Sequence, residues 1–369
     1  MYAKRMDFGV FKRMTEKKEF QLKFYQIALM YMSTLMGAGF SSGKEMWQFF
    51  GVFGLEGLKG IAVASAFLFT FGYFSVSNAK MIGSAEFGKL VCPVDNPKIT
   101  TAIGGIMSIF LWMAYLSMVS AGGALLEEQF GVHHALGSVV YMVLAVWTAI
   151  NGFEVVSKRL QKVTPILVAG TLIICTYLLI RDGDQIGGVV DAEKSPLAKG
   201  WLSSSLAFVT YNLTAAVPIL GKCQRHSDWK QAKLGAFTGA GALTLVILLL
   251  YLTTQTNPEV AQSVSLPMLG FARALSPKLG YVYAFVLLIA IFGAATVCLY
   301  GVTTVLPQKN RNRYVYVIAL AGYGLSLFGF NNLVAILYPI GGYFSMIFFA
   351  MMAVNHFRLK KQEKQKKIV

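Results

Sequence analysis

Charge is scarce in this chain. Asp, Glu, Lys and Arg make up 14% of the 369 residues, apolar types make up 56%, and mean hydropathy is +0.58. A soluble domain of this length could not cover so much apolar side chain with so little charge. Cysteine is equally sparse, with Cys92, Cys175, Cys223 and Cys298 at no metal-ligand spacing. Two fall in apolar runs and two in polar connections, so free thiols are expected and no disulfide framework. His133, His134, His226 and His356 form no set with cysteines or acids that would hold a metal, and they read as surface residues. There is no G-x-x-x-x-G-K-[ST] loop, H-E-x-x-H helix, G-x-S-x-G elbow or pair of intramembrane aspartates. These absences speak against a nucleotide-driven pump and against an enzyme. No repeated filter sequence points to a channel. No cleavable signal is evident, because the first 23 residues are basic and polar and no small-residue cleavage site follows the first apolar run.

What the chain does have is long apolar runs. About 20 residues at 1.5 Å rise cross roughly 30 Å of hydrocarbon, and ten runs reach or approach that length. They cover about 24–50, 58–79, 99–126, 134–151, 163–181, 201–221, 234–254, 279–306, 314–330 and 333–357. The stretch 258–277, with Pro258, Pro267 and Pro277, is too short to span and reads as an outer loop carrying a small helix. The expected class is an all-α integral membrane protein in a lipid bilayer. A basic tail at 1–23 precedes one transmembrane domain at 24–357, and a second basic tail follows at 358–369.

Charge placement tests that map. With the amino terminus in the cytoplasm, 26 of the 33 Lys and Arg residues fall in the tails and connections of one side. The other side holds Lys59, Arg181, Lys194, Lys199, Arg273 and Lys278, together with the acids Glu127, Glu128, Asp182, Asp184, Asp191 and Glu193. An even span count with both ends in the cytoplasm, as in a cell-membrane protein, follows. The net charge of +16 therefore belongs to topology and not to nucleic-acid binding.

Ten spans divide into five and five, at about 24–181 and 201–357. An odd number per half forces opposite orientations, the arrangement of inverted-repeat transporters. Spans one and six, equivalent under such a repeat, are both interrupted near their middles. In span one, Gly37-Ala38-Gly39-Phe40-Ser41-Ser42-Gly43 carries three glycines, each about 1 kcal/mol weaker than alanine in a helix. An unwound backbone there must line a cavity or meet a ligand. The resuming half-helix would aim N–H groups at an anion, and the preceding carbonyls would face a cation or ammonium. Gly39 and Gly43 also form a G-x-x-x-G helix contact, the alternative reading. In span six, Pro218 removes a donor and frees the carbonyl near Thr214, while Thr210, Tyr211, Asn212 and Thr214 supply polar partners. A mid-membrane asparagine is costly unless paired, so Asn212 marks either a ligand site or an interhelical hydrogen bond.

Gly37-Ala38-Gly39-Phe40 resembles the first-helix G-[S/A]-G-I-F signature of the amino acid–polyamine–organocation superfamily, whose fold is the LeuT-type five-plus-five inverted repeat with helices one and six broken. Phe208-Val209-Thr210-Tyr211-Asn212 resembles its sixth-helix break, and Asn151-Gly152 with Lys158 and Arg159 resembles its loop into the fifth helix. Gly37 to Phe50 and the ten-span layout resemble more closely the YkvI-like bacterial membrane proteins. The resemblance implies a substrate cradled by Gly37, Ala38, Gly39, Phe40 and Ser41 and by Thr210, Tyr211, Asn212 and Thr214, with Tyr115 covering it. Two departures stand out. Leu213 replaces the glycine usual after the sixth-helix polar residue. Span eight offers Thr296 alone where sodium-coupled relatives use two adjacent hydroxyls, and span five lacks the lysine of proton-coupled ones.

Lys44 and Glu45 are the ionisable pair nearest mid-membrane, about 100° apart on a helix. Glu45 is expected to carry a proton or act in an outer gate with Lys44 as partner; otherwise both sit in water near the outer mouth. Trp112, Tyr115 and Tyr211 form either an aromatic wall around a ligand or ordinary packing. Glu154 and Lys158 read as a local helix pair. The leading function is a secondary transporter of a small solute such as an amino acid, with no cofactor and with sodium or proton as coupling ion. The alternative is a ligand receptor on the same fold. Neither the solute nor the oligomeric state follows from these residues.

Overall fold

Hydrocarbon offers the backbone no hydrogen-bond partners, so apolar runs satisfy themselves as helices. The structure, a computed structural model, describes residues 21–94, 96–151, 164–186, 192, 194–303 and 310–366. Most of the amino-terminal tail, the loop with Gly152, Glu154, Lys158 and Arg159, and Asp191, Glu193 and Lys309 lie outside the described residues.

The helices follow the predicted runs closely. Span one is divided into α1 (Phe24–Leu35), α2 (Ala38–Ser41) and α3 (Lys44–Phe49). Span two is α4 (Glu56–Ile82), followed by the short α5 (Phe87–Val91), and spans three to five are α6 (Pro97–Phe130), α7 (His134–Asn151) and α8 (Thr164–Asp182). Spans six and seven are α9 (Trp201–Arg225) and α10 (Trp229–Thr256). The predicted outer loop carries two small helices, α11 (Pro258–Ser263) and α12 (Pro267–Leu275). Spans eight to ten are α13 (Pro277–Thr303), α14 (Arg311–Ser326) and α15 (Phe330–Lys366).

Among the described residues, seven helices are long and apolar enough to cross a membrane alone: α4, α6, α8, α9, α10, α13 and α15. The remaining three predicted spans are less complete. Span one is cut into pieces, α7 has 18 residues and α14 has 16. The helices pack as two interlocked sets. α9 lies along α4 as α1 lies along α10, α7 meets α13 as α14 meets α6, and α8 touches α10 as α15 touches α4. Each pair maps onto the other when spans one to five are exchanged for six to ten.

Three expectations change. The sixth span is not broken, since α9 runs unbroken from Trp201 to Arg225 with Pro218 inside. Its polar side chains turn back onto their own helix: Thr210 Oγ1 donates to Leu206 O at 2.6 Å, Asn212 Nδ2 to Phe208 O at 3.1 Å and Thr214 Oγ1 to Thr210 O at 2.7 Å. Leu213, standing where related breaks have glycine, gives the backbone no reason to unwind. The last span does not end at 357, because α15 continues as helix through the described part of the basic tail to Lys366. His356 is not a surface residue; it is buried, stacked on Phe74 at 4.1 Å and bonded to Asn78 Oδ1 at 2.9 Å.

Close packing of α9 on α15 depends on Gly342, where a Cβ would overlap the backbone of Ala207. Backbone cannot yield as a side chain tip can. Gly342→Val should therefore lower the thermal stability of the purified protein by about 1–3 kcal/mol or abolish folded yield. Fluorescence-detected size exclusion after a heating series reads this directly.

Candidate functional site

The break in span one is the feature from which the site is built. α1 ends at Leu35, and the chain re-enters helix at Ala38 after Met36 and Gly37. A second turn at Ser42-Gly43 precedes α3, with Gly43 at φ +79°, a left-handed conformation that L side chains rarely adopt. Unwinding leaves carbonyls that need donors, and the protein provides them. Leu35 O accepts from Gly37 N, Gly37 O from Ser41 N, Gly39 O from Ser42 Oγ and Phe40 O from Gly43 N. Ser41 O accepts from Tyr283 Oη of α13 at 2.8 Å, and Ser42 O from the Met268 amide of α12 at 2.7 Å. The backbone of the break is thus held by span eight and the outer loop.

Lys44 and Glu45, adjacent at the start of α3, are both buried and point apart. Glu45 turns back over Gly39, so closely that a Cβ there would overlap its Oε1. Its Oε2 accepts from Asn212 Nδ2 of α9 at 3.1 Å. Lys44 turns to the outer loop instead. Its Nζ donates to Val264 O at 3.1 Å and approaches Gln262 O at 3.5 Å, with Glu128 of α6 nearby. Glu128 Oε1 in turn accepts from the Ser265 amide at 2.6 Å, and Arg273 bonds the Glu128 carbonyl. Lys44 is therefore not the partner of Glu45; it ties span one to the loop over it.

A cavity of about 80 Å³ lies beside Glu45. Of the residues expected to cradle a substrate, Gly37, Tyr211, Asn212 and Thr214 line it, together with Thr34, Ala215 and Tyr338. From α6 it takes Met107, Leu111, Ala114 and Met118, a stripe at intervals of three and four residues. Tyr115 lies about 100° around the helix from Ala114. It faces Gly322 of α14 and does not cover the cavity, and Trp112 likewise bonds Ile318 O of α14 at 3.0 Å. Thr210 bonds Gly342 O at 2.7 Å, away from the cavity wall. Gly39, Phe40 and Ser41 lie behind Glu45. The backbone of Ala38 belongs to α2, and Thr296 Oγ1 donates to Phe292 O at 2.9 Å within its own helix. Tyr338 was not singled out from sequence, although the Tyr338-Pro339 pair inside an apolar run is a signal of the right kind. Its ring stacks on Tyr211 at 4.3 Å.

An aromatic layer packs beside the cavity. Phe40, Phe49 and Phe50 surround Phe208 with ring centroids at 6.3, 5.7 and 4.9 Å, and Phe49 stacks on Tyr338 at 6.3 Å. Through Phe49 this layer joins the half-helix that carries Lys44 to Tyr338 of the cavity wall. Met107, Phe110 and Leu111 come from the half of α6 nearer its Pro97 end, the end with the basic connections.

Solved structures share this architecture. Inward-facing Mhp1 matches with TM-score 0.61 at 13% identity, over 92% of this chain and 78% of Mhp1. MhsT in complex with L-phenylalanine matches with TM-score 0.58 at 15% identity, over 87% of each chain. The protein is an all-helical membrane protein of the LeuT-type fold. It is homologous to YkvI of Bacillus subtilis (strain 168), an uncharacterized membrane protein, at 28% identity over 337 residues that cover 88% of this chain and 93% of YkvI. No protein-family model matches the chain.

The Lys44 contacts predict a loop effect separable from the cavity. A hydrogen bond to a charged group contributes about 1.5–3 kcal/mol. Lys44→Met should raise hydrogen exchange in the segment 258–275 more than about tenfold while leaving α9 unchanged.

Proposed function

We propose that the protein is a secondary-active transporter of a small solute, an amino acid in the first instance, working by alternating access around the cavity between α1–α3 and α9. It resides in the cell membrane with both termini in the cytoplasm, and its two halves form an inverted repeat. The observation that carries this reading is the carboxylate of Glu45, placed on the span-one break, bonded across to the sixth span and lining an internal cavity. A buried ionisable side chain without a structural ion pair in a membrane bundle is the mark of a solute or ion path. The fold shared with Mhp1 and with MhsT, which holds L-phenylalanine, supports the same reading. So does the aromatic layer beside the cavity, which on this reading closes one face while the lining extends toward the basic one, as alternating access requires of any single state.

The coupling ion follows from experiment. Purified protein in proteoliposomes should accumulate at least one small amino acid when a sodium or a proton gradient is applied separately, and dissipating that gradient should abolish accumulation. The gradient that drives uptake identifies the ion. Ligand binding with no accumulation under either gradient contradicts transport and assigns the protein as a receptor.

A further inference from the structure

The polar groups around the cavity are unequal in kind. Asn212 uses both amide hydrogens, one toward Glu45 and one toward Phe208 O, so the group it has left is the acceptor Oδ1. Thr34 Oγ1 donates to Met30 O at 2.6 Å, which leaves its lone pairs. Pro218 has no N–H, so the Thr214 carbonyl lacks its helical donor. Glu45 contributes a carboxylate. Against these acceptors stands the Tyr211 hydroxyl, buried and without a partner among the described residues. Among the described lining residues there is no Lys, Arg or His. The rest of the wall is apolar, from Leu35, Met107, Phe110, Leu111, Ala114 and Met118.

A carboxylate enclosed by such a wall is costly unless a cation or several donors meet it. One protein donor reaches it, from Asn212, and the described lining offers no countercharge. The complementary guest is rich in donors, carries one positive charge and has a few heavy atoms, since the cavity of about 80 Å³ is about half the roughly 150 Å³ of a protein cavity that admits benzene. The break's carbonyls at Leu35, Gly37, Gly39, Phe40, Ser41 and Ser42 each already accept from a protein donor, which leaves the Glu45 carboxylate the stronger acceptor at the cavity.

We infer that the cavity recognises its solute through a protonated primary amine, held by the Glu45 carboxylate and Asn212 Oδ1, and that a carboxylate on the solute is not required. The inference rests on the reading of this cavity as the solute site and specifies the group it selects. Tyr211, a lining donor without a partner among the described residues, accommodates a further acceptor on the solute when there is one. Anionic solutes find no positive charge in the described lining, face the Glu45 carboxylate and are rejected.

Binding to the detergent-purified full chain separates this claim from transport. Ethylamine, alanine and propionate are compared at equal ionic strength by thermal shift. Ethylamine and alanine should stabilise the protein in a saturable way, and propionate should not. Glu45→Gln should weaken ethylamine at least tenfold. Ala114→Leu, which fills the cavity and leaves Glu45 in place, should weaken it as much and decides the matter if Glu45→Gln does not fold. Propionate binding as well as ethylamine, or ethylamine affinity unchanged in either variant, overturns the inference. Saturable, Glu45-dependent ethylamine binding with no uptake of any solute supports the amine site and sinks the transporter reading alone.

Discussion

A single hydrogen bond joins the two elements on which the site depends. Glu45 sits on the first turn of helix that resumes after the span-one break, and Asn212 sits mid-way along an unbroken sixth helix, with 3.1 Å between carboxylate and amide. Neither group would be tolerated alone at that depth, because an unpaired amide or carboxylate in an apolar bundle loses its water without replacement. The pair can form only because Gly39 lacks a Cβ and lets the Glu45 side chain fold back over the break. Gly43, in a left-handed conformation, sets the direction in which α3 leaves. Much else in the middle of the molecule follows from holding this contact in place.

The surrounding structure supports the break from two directions. Tyr283 of span eight and the Met268 amide of the outer loop bond the carbonyls of Ser41 and Ser42. Lys44, one residue from Glu45, bonds that same loop from the other face of α3. Movement of the outer loop is therefore mechanically linked to the half-helix that carries Glu45, with no need for a long relay. The consequence for recognition is that the break's backbone serves the protein's own architecture. On the proposed amine site, selectivity passes to side chains, Glu45 and Asn212 above all.

The span layout was legible in the sequence because hydrocarbon imposes length and charge placement on any helix that crosses it. Predicted and observed boundaries agree within a few residues for most spans, and the two small helices between spans seven and eight fall where three prolines placed them. Breaks were harder to read. Span one unwinds where its glycines cluster, yet span six stays helical although it carries threonines, an asparagine and Pro218. The difference is Leu213 together with hydroxyl and amide groups that turn back onto carbonyls one turn earlier, which the sequence leaves undetermined between bonding a ligand and bonding the helix. Which face of a helix meets the cavity was also undetermined. Ala114 lines it and Tyr115 does not, a rotation of one residue that hydrophobic content cannot resolve when a helix is buried all round. Tyr338 went unnoticed because an aromatic residue in an apolar run has no distinctive neighbour in sequence apart from Pro339.

The central claim is that Glu45 and Asn212 border a cavity reached from the basic face and sealed from the opposite face by the layer around Phe208. Side-selective thiol labelling tests it most directly. With the four native cysteines replaced, Thr214→Cys in sealed inside-out and right-side-out vesicles is exposed to a membrane-impermeant maleimide without solute. The account predicts labelling from the face bearing the basic connections and little from the other. Labelling confined to the opposite face would contradict it.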